Sequence, residues 1–256
     1  MPGAPAFPPF DYTRFQWCRA PDDPHLLRRE AFGGEAIEDF FHRFNHGEQT
    51  LFLGLRLTLH APVTPSDLVA RAREAWTRLR HEVPLVATKL TYNAAGNTLI
   101  TYREAAAALD VTDWACRTVR LSQVADLDEL RFALSTVTIP DEDGNLTLLY
   151  VLPGGSETSC SLLIQTSHVP FDGGGIKVLG NKLLALLAAG LADGAGAPPP
   201  LQWGDEGKNL LPCVTEILAP DEEREGERYT HTLMEVLGDI GAALPVRTAP
   251  LSAVAD

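Results

Sequence analysis

The chain has 256 residues, 45% of them apolar and 21% charged, enough to bury a sizeable core in one large domain or two small ones. Its 21 basic and 34 acidic side chains give a net charge of −13, and no basic stripe with interleaved aromatics occurs, which argues against nucleic acid as a partner. The 19 prolines and 21 glycines imply many turns and a mixed α and β protein.

The opening stretch, MPGAPAFPPFDY, is Pro-rich and aromatic without a period and is expected to lie across the surface. It has neither the basic nor the apolar region of a secretory signal, so cytoplasm is the expected compartment. Cys18, Cys116, Cys160 and Cys213 are scattered, without C-x-x-C spacing, and read as packed free thiols of a reducing compartment. Residues 35–47, EAIEDFFHRFNHG, predict a short helix ended by Gly47, and 49–60, QTLFLGLRLTLH, alternate as a half-buried strand does.

Residues 64–84 predict the clearest helix: Ser66 can cap it, and Leu68, Val69, Ala72, Ala75, Trp76 and Leu79 share one face. Pro84 stops it. PLVATKLTY and NTLITYRE, separated by NAAG, predict a hairpin, and 126–137 a further short helix. NLTLLYVLP and TSCSLLIQTSH flank GGSE as a second hairpin whose return strand ends at His168. The apolar run 175–192 is interrupted by Lys177, Asn181 and Lys182, which suits an amphipathic core helix and not a membrane span. GAGAPPP at 194–200 reads as a linker, and the acidic run at 221–227 as a solvated loop.

Several chemistries fall away on inspection. GGGIKVLGNK has no Gly-Lys-Ser/Thr after its glycines and lacks the third glycine of a dinucleotide fingerprint; HEVPL has no second histidine, and no G-x-S-x-G elbow is present. Glu38, His42 and His46 at four-residue steps have metal-ligand spacing, but the phenylalanines among them favour an ordinary amphipathic helix, and no metal is assigned.

SHVPFDGGG at 167–175 is different. A histidine at a strand end has a fixed address and is the side chain best suited to take a proton near neutral pH. Asp172 can orient the loop by an ion pair or backbone hydrogen bonds, while Gly173, Gly174 and Gly175 permit positive φ and close approach of a substrate.

The run His168-Val-Pro-Phe-Asp172-Gly173 resembles the H-x-x-x-D-G motif of the CoA-dependent acyltransferase superfamily. That superfamily includes chloramphenicol acetyltransferase, plant BAHD acyltransferases, fungal trichothecene acetyltransferases and condensation domains of nonribosomal peptide synthetases. AWTRLRHEVPLVATKL (75–90) is similar to an early helix and strand of fungal members and condensation domains, and LQWGDEGKNLLP (201–212) to a segment soon after the motif in fungal ones. The resemblance implies an α/β fold, an α+β two-layer sandwich with helices packed on a mixed sheet. It spans about residues 10 to 215, one lobe of a two-lobe architecture whose site lies in a tunnel between lobes; no D-F-G-W-G-type motif of the other lobe occurs.

The expected organisation is therefore a lobe at 1–215 and an acidic, polar tail at 216–256 that could begin a connection to a second lobe. By resemblance His168 is the general base that deprotonates an acceptor hydroxyl or amine, acyl-CoA is a co-substrate and not a resident cofactor, Asp172 is structural and pairs with an arginine, and Gly173 keeps the entrance open. The expected partners are a small-molecule acceptor, acyl-CoA, and a second lobe supplied by another chain or a second copy, with no membrane. Two alternatives stand beside acyl transfer: a binding lobe without chemistry, and a cyclase or isomerase that uses the same pocket without CoA.

Overall fold

The computed structural model describes residues 11–44, 50–192 and 199–217, together with 231, 234 and 235. The chain divides into two compact units, Met1–Cys213 and Val214–Asp256. The first carries every strand among the described residues; the second contributes one described helical turn, α6 (Val214–Ile217). No helix among the described residues is long and apolar enough to cross a membrane.

Two strands open the first unit, β1 (Cys18–Ala20) and β2 (Asp23–Glu30), followed by helix α1 (Gly34–Phe44) and strand β3 (Thr50–Thr58). Gly33, at φ +54°, makes the left-handed turn that starts α1, a conformation that costs glycine little. The long helix α2 (Pro65–Glu82) buries Leu68, Val69, Ala72, Ala75, Trp76 and Leu79, the six residues whose spacing predicts its inner face. Its cap is Thr64, not Ser66: the Thr64 hydroxyl accepts from the Asp67 amide at 3.2 Å, and Pro65 at the first helical position sets the helix start ahead of Ser66.

The stretch PLVATKLTY is not one strand. Pro84–Ala87 form a 3-10 turn, tightened by the Thr88 hydroxyl donating to the Leu85 carbonyl at 2.7 Å, and strand β4 (Lys89–Tyr92) begins only after it. β5 (Thr98–Arg103) closes the predicted hairpin with β4, and helix α3 (Ala108–Thr118) then runs into the short strand β6 (Val119–Leu121). Helix α4 (Leu127–Leu134), strands β7 (Thr147–Pro153) and β8 (Ser159–Ser167), and helix α5 (Gly175–Leu191) complete the unit. Charges and short length hid β1, β2, α3 and β6 from the periodicity.

The strands form two four-stranded sheets. One is antiparallel in the order β1-β2-β5-β4; the other, β3-β8-β7-β6, is mixed because β6 runs parallel to β7. The mixed sheet is covered on both faces, so β7 reads as a nearly continuous apolar run and β8, with its polar ends, is nonetheless buried almost throughout. Leu149, Val151, Cys160, Leu162 and Ile164 face the core built by α2, α3 and α5. Leu148, Tyr150, Leu152 and Leu163 face Leu127, Leu130 and Leu134 of α4.

Trp76 and Trp114 stack with ring centroids 5.9 Å apart, joining α2 to α3. α5 lies close against β3 because Gly180 has no side chain: a Cβ there would meet Leu53 Cδ2 at 2.5 Å. Of the four cysteines, Cys160 and Cys213 are buried as packed thiols should be, whereas Cys18 and Cys116 are exposed on the surface. Burial pushes the Cys160 thiol pKa up.

Candidate active site

β8 is held along its whole length by β3 on one side and β7 on the other, so the residue after its last position, His168, stands at a rigid address. The final rungs are well tied. The buried hydroxyls of Thr147 and Thr166 are 2.8 Å apart, and the Ser167 amide donates to the Leu146 carbonyl at 2.9 Å. Beyond the strand, two apolar side chains pin the loop: Val169 packs with Ala31 and Ile100, and Phe171 enters the main core. His168, before them, keeps 27% of its side chain exposed, enough to meet a reactant while its backbone stays fixed.

Asp172 meets backbone amides, one of the two kinds of partner expected of it from the sequence. Its Oδ1 accepts from the Gly175 amide at 2.5 Å, and its carbonyl accepts from Ile176 at 3.0 Å, so it ties off the start of α5. Its side chain is exposed, and among the described residues no arginine pairs with it. An N-terminal helix end offers unpaired amides to a nearby carboxylate.

The glycines also differ from expectation. None of Gly173, Gly174 and Gly175 has positive φ; Gly174 sits at φ −79° and ψ −49°. A Cβ on Gly173 would meet nothing within 4 Å, so packing within this chain does not explain a glycine there.

On the other side of His168 stands α1. Its Glu38 Oε1 lies 3.8 Å from His168 Nδ1, an ion-pair contact too long for a hydrogen bond. The next residue, Asp39, is fully buried and anchors the helix to the antiparallel sheet: it accepts from the Thr98 hydroxyl at 2.6 Å and the Tyr92 hydroxyl at 3.2 Å, and pairs with Arg43 at 3.1 Å. Burial and the Asp39 charge push the Tyr92 pKa up. Burial also pushes the His42 pKa below its ordinary value, with Asp39 opposing.

Because the inward face of α1 is polar, its apolar face turns outward: Ile37, Phe40, Phe41 and Phe44 are all exposed, with the Phe40 and Phe44 rings 4.5 Å apart. The ordinary amphipathic helix expected from the phenylalanines is therefore inside out. His46 and the expected stop at Gly47 lie outside the described residues.

Sequence reasoning missed one buried network. Glu206, wholly buried, accepts from the Tyr102 hydroxyl at 3.0 Å and from the Ala105 and Gly204 amides at 2.7 Å each. Arg80 lies over the rings of Tyr102, Trp114 and Trp203 and donates to the Arg103 carbonyl at 3.1 Å. The WGDEGKN segment thus ties residues 199–213 to α2 and β5; its Trp and Gly were visible, but nothing local marks Glu206 as buried.

Comparison with known proteins bears on this geometry. An acyl-CoA-dependent acyltransferase of Pseudozyma antarctica is 25% identical over 265 residues, 91% of this chain and 47% of that protein. The trichothecene 15-O-acetyltransferase of Fusarium sporotrichioides is 23% identical over 88% of this chain and 46% of its own. A solved structure of the Fusarium sporotrichioides trichothecene 15-O-acetyltransferase superposes with a TM-score of 0.77 at 19% identity, covering 94% of this chain and 50% of that one. The first condensation domain of the calcium-dependent antibiotic synthetase shares the fold at a TM-score of 0.56 and 13% identity, over 84% and 48% of the two chains.

The fold and these relatives define a CoA-dependent acyltransferase superfamily member. Within it, the chain belongs to the 15-O-acetyltransferase Tri3 family, whose model matches residues 7–247. The chain spans about half the length of the curated relatives it matches.

Proposed function

We propose that this chain is the histidine-bearing lobe of an acyltransferase that moves an acyl group from acyl-CoA to a hydroxyl or amine of a small-molecule metabolite, in the cytoplasm. The observation that carries the reading is His168 itself: a partly exposed imidazole at the well-paired end of β8, beside a helix whose apolar face is exposed among the described residues. A second lobe supplies the facing wall. Covering Ile37, Phe40, Phe41 and Phe44 would remove apolar surface from water, a driving force that a lobe alone does not use.

In the completed site Nε2 of His168 takes the proton from the acceptor O–H or N–H as that atom attacks the thioester carbonyl. The tetrahedral intermediate then collapses, the carbon–sulfur bond breaks, and the imidazolium returns its proton to the CoA thiolate. Atoms and charge balance, and the histidine ends as it began. The space beside Gly173, where among the described residues a Cβ would meet nothing within 4 Å, stays free for the reactants.

The test has two parts. Mass in solution, alone and with acyl-CoA, establishes whether the chain assembles; the assembly is then assayed for free CoA thiol released in the presence of hydroxylated and amine acceptors. His168→Ala is expected to lower turnover about 10²- to 10⁴-fold, the usual contribution of a positioned base. Unchanged turnover in that variant would overturn the assignment. A stable assembly with no thiol release for wild type would instead favour a binding lobe, the reading to which the outward apolar face of α1 also lends itself.

A further inference from the structure

We infer that Glu38 is the positioning residue for His168: its carboxylate holds the proton on Nδ1, so that the other ring nitrogen, Nε2, is kept bare to act as the base. The need for such a partner arises because the two ring nitrogens of a neutral imidazole are not equivalent, and the one that carries the proton is set by what the other meets. Asp172, the carboxylate in the motif, does not meet the ring's need, since its Oδ1 is engaged by the Gly175 amide and its side chain is exposed. The orienting group must come from another element.

Helix α1 supplies it. Glu38 Oε1 stands 3.8 Å from Nδ1, and both side chains are mostly buried, at 23% and 27% exposed. Among the described residues the other oxygen, Oε2, is buried without a hydrogen-bond partner, as is Nδ1 of His42 one turn further on, so Glu38 and His42 do not satisfy each other through these atoms. A buried acceptor with nothing to accept is costly unless a donor comes within reach, and a small torsion about the last bonds of Glu38 or of the ring turns the 3.8 Å contact into a hydrogen bond.

The helix itself does not need to move. Asp39, the very next residue, is bonded to Thr98 at 2.6 Å, and Glu35 at the start of α1 pairs with the buried Arg29 at 2.5 Å and accepts from the Phe32 amide at 3.0 Å. The site thus has a general base on one element and its orienting carboxylate on another, 130 residues apart along the chain but adjacent in the fold.

This inference rests on the reading of His168 as a base for its purpose, not for its geometry, and its test does not require turnover. The chain is produced with ring-¹⁵N histidine, and the His168 resonances are identified by their loss in His168→Gln. At a pH where the ring is neutral, wild type is expected to show the Nδ1–H tautomer. Glu38→Ala is expected to revert to the Nε2–H tautomer that free histidine prefers, while Glu38→Gln, which keeps a neutral acceptor of the same reach, retains the wild-type form.

A wild-type ring in the Nε2–H form, or an Ala variant indistinguishable from wild type, would overturn the inference, and so would a Gln variant that behaves as Ala does. Backbone amide spectra confirm that each variant remains folded. A failed tautomer result leaves acyl transfer by His168 standing, and absence of acyl transfer leaves the tautomer result standing.

Discussion

Replacing Glu206 by alanine tests the claim that residues 199–213 are part of the lobe and not a linker laid over it. The carboxylate is fully buried and accepts three hydrogen bonds, from the Tyr102 hydroxyl at 3.0 Å and from the Ala105 and Gly204 amides at 2.7 Å. Alanine leaves all three donors without an acceptor, and each buried, unsatisfied polar group costs about 1–3 kcal/mol. The sum is reduced by relaxation and by water entering the vacated space, so the expected loss is about 3–5 kcal/mol, at the upper end for a single substitution.

For a domain of this size that corresponds to a fall in Tm of about 6–20 °C. Glutamine at the same position keeps one acceptor oxygen but presents an amide N–H to a backbone N–H, and is expected to lose about 1–3 kcal/mol. Urea unfolding followed by tryptophan fluorescence suits the measurement, because Trp203 lies beside Glu206 in sequence and its ring meets His81 at 5.2 Å. An alanine variant within about 1 kcal/mol of wild type would refute the reasoning, showing that the other ties carry the segment. Those ties are real: Trp17 donates to the Leu211 carbonyl at 2.9 Å and Asn209 to the His81 carbonyl at 2.7 Å.

Two further outcomes follow from α1. Phe40→Ser with Phe44→Ser removes apolar side chains that pack on little in this chain, so stability is expected to change by less than about 0.5–1 kcal/mol, while self-association or association with a second lobe weakens; sedimentation before and after substitution reads the difference. The His42 pKa is lowered by burial, so the folded state favours the neutral ring. The stabilising effect of keeping it neutral is complete above the unfolded value near 6.5 and is lost as pH falls from there through the lower, folded value. The urea midpoint of wild type is therefore expected to drop between neutral and mildly acidic pH, by more than that of His42→Gln; equal drops would refute it.

Much of the architecture was legible locally. The inner face of α2, the two hairpins, the apolar helix α5 and the position of His168 at a strand end all follow from periodicity, turn residues and a histidine placed after a long apolar run, because each depends on neighbours within a few turns or one hairpin. β2 and α3 were not legible, since charged residues interrupt their patterns and long-range pairing, such as that of β2 with β5, decides their state. The outward apolar face of α1 was hidden for a similar reason. What α1 meets is not among its sequence neighbours and only packing reveals it, whereas Asp172 meets the amide of Gly175, three residues on.

The sequence by itself therefore determined which residue could do chemistry and where the chain would place it: a histidine at the end of the return strand of a hairpin, with an aspartate and glycines leading into a helix. Only the tertiary structure decided what surrounds that histidine. It put Glu38 of α1 against Nδ1 and turned the phenylalanines of α1 outward. The physical reason is range. Periodicity records the face that each element buries against the bulk of the core, whereas the partner of a polar group is set by which distant element arrives beside it, and that arrival is settled by the packing of the whole lobe.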